Sequence, residues 1–388
     1  MGMFVNPGNG AFQVAVNSEI YVDKTELIRY TNRVIHTLQG FICNSRPRRI
    51  GKSITADMLT AYYSRGCSSE SLFSDLKIAN DPDFKKHLNQ YDVIHMDMQW
   101  FMEHAGSVDR TVSYASKCIL KELRQYYPQQ VSDAVNSVSE ALFQINSRTG
   151  NTFVVIIDEW DVLIRDESSN ASLQQEYISF LRGLFKETGP TQYIALAYLT
   201  GILPVIRQKT QSALNHFDEF TMLEASHLAP YIGFTEEEVR ALCIRYNLSF
   251  EKIRQWYDGY QLEGIDVYNP KAVVNVMLKG KFRNYWSRTA SYDALVPLLK
   301  MNFDGLKSSM MQMFSGVPCR INTTTFRNDT VNFQNRDDVL TYMIHLGYLS
   351  YHKSDHTAAI PNEEIRQELR NAVESVGWDD VSKMERKS

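Results

Sequence analysis

The sequence predicts an α/β protein in two parts. A parallel sheet with helices on both faces comes first, and an α-helical unit ending in a winged-helix-like piece follows. Three observations carry this. Uninterrupted apolar runs alternate with amphipathic helical patterns through the first half. Strand-like runs become rare after about Pro230. The last segment reads helix, hairpin, helix. The boundary is placed at residue 228, giving parts 1–228 and 229–388, and 388 residues at about 150 per domain allow two or three units.

The elements follow in order. Gly40-Phe41-Ile42-Cys43-Asn44 is a short apolar run, and a helical pattern occupies Ser53–Tyr63. Val93–Met98 is a second strand. Phe153-Val154-Val155-Ile156-Ile157 is the strongest, uninterrupted and ended by acids. Tyr193–Leu199 is another, and Phe220-Thr221-Met222-Leu223 a weaker one. In 171–187, Leu173, Tyr177, Phe180, Leu181, Leu184 and Phe185 share one helical face. In the second part Thr235 with Glu238 forms a capping signal, and Asn269-Pro270 opens a helix. Asp337–Leu349 reads as helix. Leu349–His352 and Thr357–Ile360 read as strands around the turn 353–356, and a helix closes the chain from Asn362 to Val376.

Composition excludes several classes. Lys plus Arg is 41 and Asp plus Glu is 45, a net charge of −4, so a disordered chain and a uniformly basic nucleic-acid coat are excluded. The five cysteines are odd in number and scattered without a C-x-x-C, which suits reduced thiols. The N-terminus has no basic region followed by an apolar one, and no run approaches the roughly 20 residues of a membrane helix. A cytoplasmic protein with no membrane contact is expected.

The chemistry lies in two motifs. Arg46-Pro47-Arg48-Arg49-Ile50-Gly51-Lys52-Ser53 joins a strand to a helix, the context of a P-loop. Loop and helix N–H groups, through Ile54, would wrap phosphates. Lys52 would place its charge on the β- and γ-phosphates, Ser53 would ligate Mg²⁺, and Gly51 would allow close backbone approach. Arg46 stands where the full pattern has its first glycine. The second motif is Phe153–Glu159, an apolar strand ending in Asp158-Glu159, the Walker B form. Asp158 would hold Mg²⁺, and Glu159 would act as general base on the attacking water. Thr200, ending a third strand before Gly201, would sense the γ-phosphate or simply start a turn. No guanine-reading N-K-x-D occurs, so ATP or ADP is the expected ligand.

These segments also carry a resemblance. Tyr21-Val22-Asp23-Lys24-Thr25, Arg46–Ser53, Ile157-Asp158-Glu159-Trp160-Asp161 and Thr200-Gly201-Ile202 resemble the AAA-ATPase-like family of bacteria. Gly233–Glu238, Trp256–Tyr260, Tyr268-Asn269-Pro270, Tyr285-Trp286, Gly347-Tyr348-Leu349 and Ile360-Pro361-Asn362 extend it over roughly residues 4–370. The family reads R-P-R-R-x-G-K-S at the loop, which accounts for Arg46. The resemblance implies a P-loop NTPase of the ASCE class, AAA or STAND type, with a helical lid. Relatives usually continue into a PD-(D/E)XK nuclease-like domain. Asp83-Phe84-Lys85 and Glu385-Arg386-Lys387 are chance matches to it, so the chain is expected to stop where that domain would begin.

Other residues leave alternatives open. Arg48 or Arg49 would meet a γ-phosphate, act as an arginine finger on a neighbouring copy, or pair with Asp158 or Asp161. Asp161 would order the metal's surroundings or neutralise Arg48. Arg207 and Lys209 would sense phosphate or stay solvated. His345 would approach the nucleotide as a lid residue or pack in an apolar helix. His352 and His356 form a weak metal pair. Trp256, Tyr257, Tyr260, Tyr285 and Trp286 would stack bases or build the core of the second part. Three functions compete: Mg²⁺-dependent ATP hydrolysis driving a lid movement, a STAND-like nucleotide switch with little turnover, and a nucleic-acid-binding module. Acids in the last helix speak against the third. A homo-oligomer is an open expectation.

Overall fold

In the computed structural model the apolar runs become strands β1 (Phe41–Ser45), β2 (Asp92–Asp97), β3 (Phe153–Asp158), β4 (Ile194–Gly201) and β5 (Asp218–Phe220). The structure describes residues 2–186, 189–205, 214–286, 291–327 and 333–384, with backbone only for 291–293. The five strands form one sheet in the order β2-β3-β4-β1-β5, every neighbouring pair parallel. This is the expected parallel α/β class. β4 lies between the strands that carry the two sequence motifs. The fifth strand is Asp218–Phe220 rather than Phe220–Leu223, because Ile42–Asn44 of β1 pairs with 218–220.

Burial explains the continuous apolar pattern. β1, β3 and β4 are buried at every position, as strands covered on both faces must be. Each large side chain of Phe153–Ile157, wholly buried, contributes about 1.5–3 kcal/mol. The helix Lys52–Tyr63 packs against β2, β3 and β4. Phe153, Val155 and Ile157 share a core with Ile119 and Leu123 of helix Thr111–Tyr126, Leu142 and Ile145 of Val138–Thr149, and Leu181 and Leu184 of Ala171–Phe185. The β2 edge is occupied by the N-terminal segment: His95 N donates to Phe4 O at 2.9 Å and Asn6 N to Val93 O at 2.7 Å.

The chain divides into two compact units. One holds the described residues of 1–45 and 52–220, and the other those of 46–51, 221–327 and 332–388. The second unit is mainly helical with two small antiparallel sheets. Its helix Glu236–Tyr246 opens on the expected capping box. Thr235 N donates to Glu238 Oε2 at 2.8 Å, and Glu238 N to Thr235 Oγ1 at 3.5 Å. Asn269 caps helix Pro270–Lys279. One sheet, β6 (Phe234–Thr235), β7 (Tyr260–Leu262) and β8 (Ile265–Tyr268), was not expected from the sequence. Its two-residue turn puts Glu263 and Gly264 at φ 50° and 81°, the left-handed pair that suits a tight hairpin. At the end of the chain, helix Arg336–Leu346, strands β10 (Ser350–His352) and β11 (Thr357–Ala359) and helix Glu363–Ser375 follow in the expected order. β9 (Cys319–Arg320) adds a third strand to that hairpin.

Candidate functional site

Parallel strands align their C-terminal ends, and here that alignment gathers polar side chains. Asn44, Thr200, Asp158 and Asp97 occupy one register row across β1, β4, β3 and β2. Such strand ends are where open α/β sheets bind ligands. The helix Lys52–Tyr63 starts after β1, and its first residues meet the end of β3. Lys52 Nζ lies 3.5 Å from Glu159 Oε1, and the Ser53 hydroxyl is hydrogen-bonded to the Asp158 carboxylate. Lys52 is buried although it is a cation at a helix N-terminus, where the helix dipole disfavours positive charge and favours an anion. Thr200 is fully buried, and its Oγ1 has no hydrogen-bond partner among the described residues. The Thr200 carbonyl accepts from Trp160 N at 3.1 Å, tying the end of β4 to the turn after β3.

Burial sets the charge state of the acids. It pushes Asp158 up to about 7, with the Ser53 bond and Lys52 opposing and Glu159 and Asp97 adding to the rise. Asp57, four residues after Ser53 on the same helix, is pushed up to about 6 by burial and by Asp97. Asp97 is raised by burial as well, and it caps the next helix by accepting from Trp100 N at 3.0 Å. Asp158 and Glu159 thus stand beside Lys52, Asp97 interacts with both of them and Asp57 with Asp97, and Asp57 and Asp97 were not singled out in the sequence. The signal for Asp57 was its i+4 spacing from Ser53, which puts both on one helix face.

The turn after β3 is built by Asp161. Its Oδ1 accepts from Ile202 N at 3.2 Å and its Oδ2 from Leu203 N at 2.9 Å. Gly201 leaves room for this: a Cβ there would lie 2.4 Å from Asp161 Oδ1. Arg165 Nη1 donates to Asp161 Oδ2 at 2.9 Å and stands 3.5 Å from Glu159 Oε2. Asp161 thus pairs with Arg165. Glu159 itself has φ 50°, a left-handed conformation uncommon for a residue with a Cβ.

The loop 46–51 belongs to the second unit. Arg46 is fully buried. Arg49 donates to the carbonyls of Tyr285 at 3.1 Å and Trp286 at 2.6 Å, so backbone oxygens hold its guanidinium. Ile50 O accepts from Gly233 N at 3.0 Å, and Arg48 O from Asn269 Nδ2 at 3.4 Å. Pro47 packs against Gly347, where a Cβ would come within 2.8 Å of it. Arg48 and Ile54 are exposed. Gly51 has φ 100°, and no atom lies within 4 Å of where its Cβ would be. That positive φ is one that glycine adopts without the penalty a side chain would bring.

The other expectations resolve as follows. His345 is buried, stacks on Phe326 at 5.3 Å, and both ring nitrogens lack a hydrogen-bond partner among the described residues. Burial and the nearby Arg46 charge hold it down at about 3. His356 Nδ1 pairs with Tyr351 Oη at 2.8 Å. Tyr257, Tyr260, Tyr285 and Trp286 are buried, with Tyr257 and Tyr285 rings 6.4 Å apart, so they form core and not a base-stacking platform. Lys353 of the hairpin pairs with Glu224 and Glu263. Arg207, Lys209, Glu385, Arg386 and Lys387 lie outside the described residues. Among the described residues no helix is long and apolar enough to cross a membrane.

Three comparisons bear on this geometry. The family model described as "Predicted AAA-ATPase" matches residues 12–210. An "Uncharacterized protein in vnfD 5'region" of Azotobacter chroococcum mcd 1 is 28% identical over 264 residues, 66% of this chain and 48% of that protein. The chain thus spans about half the length of that curated relative. The ORC2 protein of Aeropyrum pernix, solved in ADPNP–ADP complexes, aligns over 93% of this chain and 98% of its own. Its identity is 14% and the TM-score 0.42. The matched span of 199 residues covers just over half of the chain and contains Lys52, Ser53, Asp158, Glu159 and Thr200, and the chain belongs to the AAA-ATPase-like family.

Proposed function

We propose that the chain binds ATP with Mg²⁺ and hydrolyses it at Lys52, Ser53, Asp158 and Glu159, and that the nucleotide state drives a conformational change in the helical part. One observation carries the reading: a buried lysine 3.5 Å from one carboxylate, beside a hydroxyl bonded to a second, at the ends of parallel strands. Lys52 supplies a fixed positive charge for the β- and γ-phosphates. Residues Arg46, Pro47, Arg48, Arg49, Ile50 and Gly51 run directly into that helix, and the N–H groups of 48–54 are the donors for phosphate oxygens.

The donor set fits Mg²⁺. Ser53 and Asp158 present oxygen ligands only, as a hard cation requires, and their mutual hydrogen bond puts both at one point. When bound, the ion neutralises charge on the phosphate oxygens. Glu159 accepts the proton of the attacking water. Thr200 Oγ1, buried with its hydroxyl unengaged by the described residues, donates toward the γ-phosphate. The test is mass-spectrometric identification of nucleotide carried through purification, followed by titration of ATP onto wild type and Lys52→Ala. Equal affinity of the two proteins would overturn the assignment.

A second reading is favoured by His345. A neutral imidazole, buried near Arg46 with neither ring nitrogen hydrogen-bonded by the described residues, offers an N–H donor to an anion. That suits a switch that retains ADP or ATP with little turnover. Tightly retained nucleotide together with negligible steady-state hydrolysis selects this reading over the first.

A further inference from the structure

Resting on the hydrolysis reading above, we infer that Arg165 is the residue that positions the carboxylate of Glu159 for catalysis. The Arg165 side chain is only 5% exposed and is held on two sides. Nε and Nη2 donate to Oδ1 and Oδ2 of Asp166 at 2.7 and 3.3 Å, and Nη1 donates to Asp161 Oδ2 at 2.9 Å. A guanidinium fixed as a planar fork has no rotamer freedom left, and its charge falls where the fork aims it. It is aimed at Glu159: the same Nη1 stands 3.5 Å from Oε2, while Oε1 faces Lys52 Nζ, also at 3.5 Å. Each carboxylate oxygen thus has its own cation.

The consequence follows from what a phosphate does to this pair. An anion drawing on Lys52 weakens the Lys52–Glu159 attraction and releases Oε1. Oε2 keeps its partner, because Arg165 is anchored by Asp161 and Asp166, which belong to the protein. Glu159 then stays in place, with one oxygen free to accept a proton from water. Its left-handed backbone, φ 50°, leaves the side chain to be oriented by such contacts rather than by a regular helix or strand. Asp161 extends the network to Ile202 and Leu203, just past Thr200, so one arginine links the end of β3 to the end of β4.

The test is a double-mutant cycle in the full chain, comparing wild type, Arg165→Lys, Glu159→Gln and the double variant. Lysine keeps the charge but cannot hold Asp166 in a fork while reaching Asp161 and Glu159. Arg165→Lys is expected to lower kcat about tenfold or more, with ADP affinity within about threefold of wild type. In the Glu159→Gln background the same change is expected to leave the residual rate unaltered. Urea midpoints of nucleotide-free, metal-free protein are expected to show non-additive effects of the two substitutions. Asp166→Asn, at an exposed position, loosens the fork from outside and is expected to lower kcat without changing ADP affinity. An equal drop in both Glu159 backgrounds, an unchanged kcat, or additive midpoints would overturn the role of Arg165. Absence of wild-type turnover would instead overturn the hydrolysis reading on which it rests.

Discussion

Replacing Asp161 by Asn tests the scaffold beneath the site with almost no change of shape. The two oxygens of Asp161 receive three donors: Ile202 N on Oδ1, and Leu203 N with Arg165 Nη1 on Oδ2. An amide has one oxygen. Set at the Oδ2 position, it leaves its NH₂ facing the Ile202 N–H. Set at the Oδ1 position, it leaves the NH₂ facing both Leu203 N–H and the guanidinium. Either way a buried donor meets a donor, and Arg165 loses one of its anchoring charges. Hydrogen bonds to charged groups contribute about 1.5–3 kcal/mol each, and breaking a buried pair costs about 3–5 kcal/mol. A loss of about 3–5 kcal/mol is expected, read as a fall in the urea midpoint at unchanged slope. A loss below about 1 kcal/mol would refute the view that Asp161 clamps the ends of β3 and β4.

Three further outcomes follow from the same structure. Asp158 has its pKa raised from 3.8 to about 7, so the native state holds that proton more tightly than the unfolded chain does. Its contribution is full below the unfolded value and is lost as pH rises from about 4 to about 7. In metal-free buffer, wild type should therefore lose more stability across that window than Asp158→Asn, by an amount on the order of a few kcal/mol in urea titrations. Gly51→Ala keeps open space around the new methyl group but must adopt φ 100°; a loss of about 1–2 kcal/mol is expected, and an unchanged midpoint would mean the loop does not need this conformation. Thr235→Ala removes one side of the capping box and should cost about 1 kcal/mol of stability, measured by chemical denaturation of the full chain.

The strands of the first unit were legible because strands covered on both faces write themselves as unbroken apolar runs, as Phe153–Ile157 does. The caps at Thr235 and Asn269 were legible because their partners lie within three residues. The hairpin β7–β8 was not: its strands are three and four residues long, and its turn is Glu-Gly rather than Asn-Gly. The β5 shift reflects the same limit of short strands, whose ends are chosen by a neighbour. At the site, Lys52, Ser53, Asp158, Glu159 and Thr200 could be picked out by residue type and strand-end position. The partners that hold them could not. Arg165 reaches Glu159 across a left-handed turn, Asp161 receives its donors from segment 202–203, and Arg49 binds carbonyls 236 and 237 positions away. Only the i+4 spacings of Asp57 from Ser53 and of Arg165 from Asp161 carried a local trace of these contacts.

The central claim is that Lys52 and Glu159 serve one hydrolytic reaction in different ways, the lysine holding phosphate and the glutamate activating water. Steady-state phosphate release from Mg²⁺-ATP, measured beside nucleotide affinity on wild type, Lys52→Ala and Glu159→Gln, tests it most directly. Wild type is expected to turn over. Glu159→Gln should keep nucleotide affinity and lose about 10²–10⁴ in rate, while Lys52→Ala should lose affinity as well. Phosphate release by correctly folded wild type no faster than by either variant would contradict the claim.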